Sequence, residues 1–197
     1  MEVGFSYYLI FVPIAYLLGS VPFGLMVARA MGGADPRSVG SGNIGATNVR
    51  RSAGKRAGVI TLCLDIFKGF APVYVAWYMG AGSFVLSLVI FGAVIGHIYP
   101  VFTRFKGGKG VATACGAFCA ISPAAAALVV LSFVLIVAFK RYVSLGSIVG
   151  TALMPVFLFL MPETRDFTVV GVAVAVVIIT RHRDNIKRLV AGTENRV

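Results

Sequence analysis

The sequence predicts an all-α fold, a polytopic integral membrane bundle of about seven transmembrane helices. Three observations predict it. Of the 197 residues, 58% are hydrophobic and only 13% charged, whereas soluble domains are roughly half apolar and a quarter charged. Apolar runs recur at the length of a bilayer crossing, and the mean hydropathy is +0.92. The cations, finally, segregate to alternate connections between those runs.

The runs cover roughly 4–31, 57–79, 82–103, 109–121, 122–139, 143–161 and 166–180. The first, second, third, fifth and sixth are long enough to cross a bilayer as helices. Run 109–121 is short and Pro123 lies just beyond it, so it is either a short tilted crossing or a re-entrant helix shielded by protein. The last run extends helically through Arg181 toward the polar tail. With the N-terminus outside, 32–56, 104–109, 140–142 and 181–197 lie inside. Together with Arg29 they hold 16 of the 18 Lys and Arg residues. Only Arg165 falls in an outer connection, and Lys68 sits within the second run. This positive-inside asymmetry sets the orientation and places the C-terminus in the cytoplasm.

Seven crossings use about 140 residues, so residues 1–197 form a single membrane-embedded domain. The net charge of +11 follows from topology and needs no nucleic-acid partner. Glu2 and the missing basic n-region argue against a cleaved signal peptide. Cys63, Cys115 and Cys119 lie in apolar runs and read as small buried residues. No His or third thiol completes a zinc site around them, and no metal or cofactor is expected.

Polar chemistry concentrates in three inner stretches. In the first, Gly40, Gly42 and Gly45 permit unusual backbone angles and close approach. Ser41, Asn43, Thr47 and Asn48 add donors, and Arg50 and Arg51 add charge. Such a segment can turn successive N–H groups onto a phosphate. In the second, Lys106, Gly107, Gly108, Lys109 and Gly110 precede a helical run, where helix-start N–H groups and lysines meet an anion. A Cβ on Gly108 would then intrude where a phosphate oxygen approaches. The spacing is not that of a Walker P-loop. His97, at the inner end of the third run, reads as a hydrogen-bonded structural residue. In the third stretch, a helix brings His182 and Asn185 together at i,i+3 and lines up Arg181, Asn185 and Arg188. Arg183 and Lys187 suit anionic lipid, whereas His182 and Asn185 suit a site. Ser144, after Lys140 and Arg141, is placed to reach a ligand. Asp65 and Lys68, inside the second run, are expected to pair, because an isolated charge there costs roughly 2.5–3.5 kcal/mol.

The scattered acidic residues offer no cluster for Mg²⁺, and no G-x-S-x-G nucleophile elbow occurs. The motifs Gly19-Ser20-x-Pro22-x-Gly24, Gly40 to Asn48, Gly96-His97-x-x-Pro100-x-Phe102, Lys106 to Thr113, and Arg181-His182-x-x-Asn185-x-x-Arg188-Leu-x-x-Gly192-x-Glu194 stand in this order. In them the chain resembles the bacterial acyl-phosphate:glycerol-3-phosphate acyltransferase (PlsY-type) family along almost its whole length. The resemblance implies a multi-pass enzyme of the bacterial inner membrane with a cytoplasmic active site. It implies acyl transfer from acyl phosphate to the 1-hydroxyl of glycerol 3-phosphate, giving lysophosphatidic acid and inorganic phosphate, the first acylation of phospholipid synthesis. Ser41, Asn43, Arg51, His182 and Asn185 are then expected in catalysis. Gly42, Thr47, Asn48, Lys106, Gly107, Gly108, Lys109, Gly110, Ser144 and Arg188 are expected to bind the two substrates. Membrane lipid is the expected surrounding partner, and the protein is expected to be a monomer. Either a protein base or a substrate phosphate takes the hydroxyl proton. An anion channel or transporter with glycine-loop sites is the rival class, although no inverted repeat is detectable.

Overall fold

A computed structural model of the protein describes residues 5–197, and helix is the regular secondary structure among them. Glu2 and the start of the first run lie outside the described residues. That run is divided into α1 (Phe5–Tyr8), α2 (Phe11–Ser20) and α3 (Phe23–Ala30). Pro22 causes the second division: it has no N–H to donate, and it biases Val21 to an extended conformation (φ −61°, ψ 119°). A 3-10 turn at Pro36–Ser38 leads to α4 (Ala46–Tyr78), then α5 (Ser83–Ile98), a 3-10 turn at Val101–Thr103 and α6 (Val111–Ile121). The chain continues through α7 (Pro123–Lys140), α8 (Val143–Leu160), a 3-10 segment at Pro162–Phe167, α9 (Thr168–Thr180) and α10 (Arg183–Val190).

Among the described residues, five segments are long and apolar enough to cross a membrane: Ser6–Ala30, Ala46–Tyr78, Ser83–Thr103, Pro123–Lys140 and Val143–Leu160. They coincide with the five long runs of the sequence. α6 and α9 have 11 and 13 residues. At 1.5 Å per residue they reach roughly 17 and 20 Å, short of the roughly 30 Å hydrocarbon layer.

The expected inner segment 32–56 is helical from Ala46 onward. Val49 and Ala57 of α4 are buried with Val27 and Ala28 of α3, and Ala53 packs against this cluster. α4 is interrupted at Gly54, whose φ is 89°. Val49 and Ala53 lie four apart on the helical piece before Gly54 and Ala57 lies on the piece after it, so apolar residues on both sides of this break meet α3.

The chain divides into two units, 1–117 and 118–197. In the first, α2 packs on α5, with Gly19 against the Ala93 carbonyl and Gly96 against the Tyr16 carbonyl so closely that a Cβ would overlap either. In the second, α7 packs on α8 and α8 on α9. Small residues at such contacts let membrane helices approach closely, because burial against lipid tails supplies no hydrophobic drive. Large apolar side chains point outward instead: Leu131, Val134, Leu135 and Phe139 of α7 are all exposed. Cys63 corrects the expectation of three buried thiols, since it is exposed on α4, whereas Cys115 and Cys119 are half-buried. In hydrocarbon, an outward-facing small apolar side chain carries no penalty, so an apolar run does not reveal which of its faces is inside.

Candidate active site

Three polar clusters stand out, two in the first unit and one in the second. The first is organised by Asn48, in the opening turn of α4. Its side chain is buried, with Nδ2 donating to the carbonyls of Pro36 (2.7 Å), Val39 (3.0 Å) and Asn43 (2.8 Å). Its Oδ1 accepts from the Ser41 N–H at 3.1 Å. Asn48 therefore shapes the loop that carries Ser41. Gly40 takes φ +58°, and a Cβ there would lie 2.5 Å from Asn48 Oδ1. The left-handed angle and the missing side chain are both required for the loop to wrap this amide. Asn43 Oδ1 accepts from the Gly45 N–H at 2.9 Å just before α4 begins. Ser41, Gly42, Thr47 and Arg51 remain exposed, and the Arg51 stem passes beside Gly40. The result is a rigid loop offering a hydroxyl, an amide and a guanidinium to water. Asp35 and Arg37 brace its start with contacts at 2.6–3.1 Å. Hydrogen bonds from the Arg37 side chain and backbone pull the exposed Asp35 carboxyl down to about 2.

The second cluster is the loop between α5 and α6. Arg104 and Phe105 take left-handed angles (φ 53° and 61°), a conformation that costs a non-glycine residue roughly 1–2 kcal/mol. Bonds from Phe105 N to the Pro100 carbonyl (2.9 Å) and from Thr103 Oγ1 to the Lys106 carbonyl (2.9 Å) hold it. Lys106 is exposed, Lys109 half-buried and Gly108 buried. The Gly108 N–H donates to the His97 carbonyl at 3.1 Å. A Cβ on Gly108 would overlap His97 Nε2, so its missing side chain admits the imidazole. The expectation that it clears room for a phosphate oxygen is corrected by this contact. The Asp65–Lys68 pair expected inside α4 is formed at 2.9 Å, with both side chains buried.

The third cluster belongs to the second unit. The expected single helix through Arg181 is broken: α9 ends at Thr180, and His182 stands at the N-cap of α10. His182 is 2% exposed, and its Nδ1 lies 2.8 Å from the Ile178 carbonyl. A carbonyl can only accept, so Nδ1 carries a proton and donates to it. Asn185 Nδ2 donates to Glu194 Oε1 at 2.6 Å, and Arg188 Nε donates to Glu194 Oε2 at 2.7 Å. The buried Ser144 hydroxyl also faces this carboxylate, without completing a hydrogen bond. Burial pushes the Glu194 carboxyl up, but the bonds from Asn185 and Arg188 outweigh it and leave the group below its usual range.

Sequence reasoning gave Glu194 no role, although it closes the third motif. The signal that finds it is Gly192, at φ +69°. Thr193 N donates to the Arg188 carbonyl (2.8 Å) and Gly192 N to the Leu189 carbonyl (3.2 Å). This paired pattern ends α10 and folds the chain back on itself, which carries Glu194 onto Asn185 and Arg188. Asn185, Arg188 and Ser144 are thereby gathered around one carboxylate. Ser41, Gly42, Asn43 and Asn48 share a separate loop, and Lys106 to Gly110 another.

A membrane-embedded chain with amide- and cation-rich polar loops and one ordered His–Asn–Arg cluster is equipped to handle anionic substrates. Its relatives point the same way. The family model described as glycerol-3-phosphate acyltransferase matches residues 9–192. The glycerol-3-phosphate acyltransferase of Trichlorobacter lovleyi is 46% identical over 182 residues, covering 92% of this chain and 93% of that protein. That of Geobacter sulfurreducens is 46% identical over 188 residues, covering 95% and 96%. The crystal structure of PlsY, an integral membrane glycerol 3-phosphate acyltransferase, in its glycerol 3-phosphate form superposes with TM-score 0.93 at 45% identity, covering 97% of this chain and 96% of that one. Its lysophosphatidic acid form gives TM-score 0.90 at 44% identity, covering 96% and 95%. With the likeness running along nearly the full length in both sequence and fold, this chain belongs to the glycerol-3-phosphate acyltransferase family.

Proposed function

We propose that the protein transfers a fatty acyl group from acyl phosphate to the 1-hydroxyl of glycerol 3-phosphate, giving lysophosphatidic acid and inorganic phosphate. The reaction is the first acylation of phospholipid synthesis at the cytoplasmic face of a bacterial inner membrane. The chain works as one membrane-embedded, monomeric acyltransferase domain surrounded by membrane lipid. The N-terminus lies outside and the C-terminus inside, with α6, as a short crossing or a re-entrant helix, and α9 bringing the membrane helices to about seven. The cation asymmetry across the connections supports this orientation.

The observation that carries the chemistry is the composition of the three clusters. Each holds amides and cations, and the carboxylates among them, Asp35, Asp65 and Glu194, are already paired with cations. Acyl phosphate is an activated acyl donor, so the protein needs to bind and orient anions and no covalent intermediate is required. The Lys106–Gly110 loop holds glycerol 3-phosphate through Lys106, Lys109 and backbone N–H groups. Ser41, Gly42, Asn43 and Thr47, with Arg51, hold the acyl phosphate and stabilise the oxyanion formed on the acyl carbon, on the loop that Asn48 shapes. His182 and Asn185 orient one substrate phosphate, and Arg188, set together with Asn185 by Glu194, adds its positive charge. The hydroxyl oxygen bonds to the acyl carbon, the C–O bond to phosphate breaks, and the hydroxyl proton ends on the departing phosphate.

Protein purified in detergent and given both substrates should release phosphate in step with lysophosphatidic acid formation, without a sealed compartment. Phosphate movement only in sealed vesicles would instead establish a transporter. The glycine loop makes a narrower prediction. Lys109→Ala removes a charge-assisted contact of about 1.5–3 kcal/mol, on the order of 10- to 100-fold. That loss should appear in KM for glycerol 3-phosphate, with kcat and the acyl phosphate KM nearly unchanged. Steady-state kinetics varying each substrate at saturation of the other reads this directly.

A further inference from the structure

One buried polar network of the first unit has no part in the proposed reaction. His97, near the end of α5, is 4% exposed, and its Nδ1 lies 3.0 Å from Thr113 Oγ1 on the first turn of α6. The same nitrogen stands 3.7 Å from Asp65 Oδ1 of α4. Asp65 is paired with Lys68 at 2.9 Å, and Lys68 Nζ also donates to the Val21 carbonyl at 2.9 Å, where Pro22 separates α2 from α3. Four helix ends or faces thus meet around two charges, an imidazole and a hydroxyl, all of them buried. The Asp65–Lys68 pair, the Lys68–Val21 bond and the His97–Thr113 contact join them, while Asp65 stands against the His97 ring without a hydrogen bond to it.

Polar groups in such surroundings are costly unless they satisfy one another, and an ordinary helix contact could be made with leucine and alanine. What this network holds is the His97 ring, and the ring lies under the glycine loop. The Gly108 N–H donates to the His97 carbonyl, and Gly108 has no room for a Cβ because His97 Nε2 occupies that space. Gly69 of α4 presses on the Thr113 carbonyl closely enough that a Cβ would overlap it, which fixes the first turn of α6 from the other side. The loop between Gly107 and Gly110 therefore has a polar floor anchored in α4, α5 and α6.

We propose that Asp65, Lys68 and Thr113 form a buried strut that locks the His97 imidazole beneath Gly108, making His97 a positioning residue that presents the Lys106–Gly110 backbone and Lys109 to glycerol 3-phosphate. The inference rests on the assignment of this loop to glycerol 3-phosphate. Its physical content is preorganisation: a loop already held in its binding conformation loses less freedom when the anion arrives.

The test compares Thr113→Val, which keeps shape and removes the hydroxyl, with Thr113→Ser, which restores it, and adds His97→Gln. Loss of one hydrogen bond of the strut should raise the glycerol 3-phosphate KM about three- to tenfold in Thr113→Val. The acyl phosphate KM and kcat should move less than twofold, and Thr113→Ser should return to the parent value. His97→Gln should exceed Thr113→Val in the same direction. Thermal melts in detergent, with Lys109→Ala alongside, separate the outcomes. A lower melting temperature in Thr113→Val with both KM values unchanged would make the network structural and overturn the strut. The strut alone falls if Lys109→Ala raises the glycerol 3-phosphate KM while neither Thr113→Val nor His97→Gln does. If Lys109→Ala leaves it unchanged as well, the loop's assignment falls and the strut falls with it.

Discussion

His182→Ala is expected to lower kcat by about 100-fold or more while changing the glycerol 3-phosphate KM only severalfold. The reason is the fixed ring: Nδ1 donates to the Ile178 carbonyl at 2.8 Å, so the buried imidazole is held in one orientation. In the proposed reaction it orients a substrate phosphate, whose charge is redistributed as the acyl–phosphate bond breaks. Loss of the imidazole then weakens the transition state more than the ground state. His182→Asn should recover little, since its shorter amide cannot reach both the Ile178 carbonyl and the substrate. Steady-state kcat and KM for both substrates check the prediction, with circular dichroism in detergent to verify that the helices persist. Equal losses in both KM values with kcat retained would make His182 a binding residue only.

Glu194→Ala is expected to reduce activity and stability together. The Glu194 side chain is 7% exposed and accepts from both Asn185 and Arg188. Removing it leaves a buried amide and a partly buried guanidinium without their shared acceptor. For a pair in which Arg188 is 37% exposed, solvent screening reduces the cost to about 2 kcal/mol. The melting temperature in detergent should fall by several degrees and kcat by more than tenfold, because Asn185 and Arg188 lose their orientation. Glu194→Gln should be intermediate, since its carbonyl can still accept from one partner. The same carboxylate makes the cluster acid-sensitive. Its pKa is lowered on folding, the bonds from Asn185 and Arg188 outweighing burial. Its contribution to stability is therefore complete above the usual glutamate value of 4.5 and is lost as the pH falls through the lower folded value. Glu194→Gln should flatten that acid limb of the melting curve.

Much of the fold was legible in one dimension. Five apolar runs became the five long segments, because a helix that crosses lipid must be continuously apolar for about 20 residues. That constraint acts residue by residue along the chain. The Asp65–Lys68 pair was legible for the same reason, since two opposite charges one turn apart inside an apolar run have few solutions other than each other. Helix boundaries near polar segments were less legible. The stretch Ala46–Arg56 looks like a loop, yet it is helical up to the break at Gly54 and again beyond it, because Val49, Ala53 and Ala57 find partners on α3. At Arg181 and His182 the opposite occurs, and a stretch with good helical spacing is a turn.

The sequence by itself determined the class of protein, the five long spans, the inner concentration of cations and the three polar motifs. Each follows from composition and spacing that lipid imposes locally. Only the tertiary structure decided what the motif residues do for one another. It made Asn48 the organiser of the Ser41 loop, turned Gly108 toward His97, and returned Glu194 to Asn185 and Arg188 through the left-handed turn at Gly192. Hydrogen-bond partners separated by seven, eleven or sixteen positions are selected by how helices and loops meet in space. No periodicity along the chain encodes that choice, because a buried donor is satisfied by whichever acceptor the fold brings within about 3 Å.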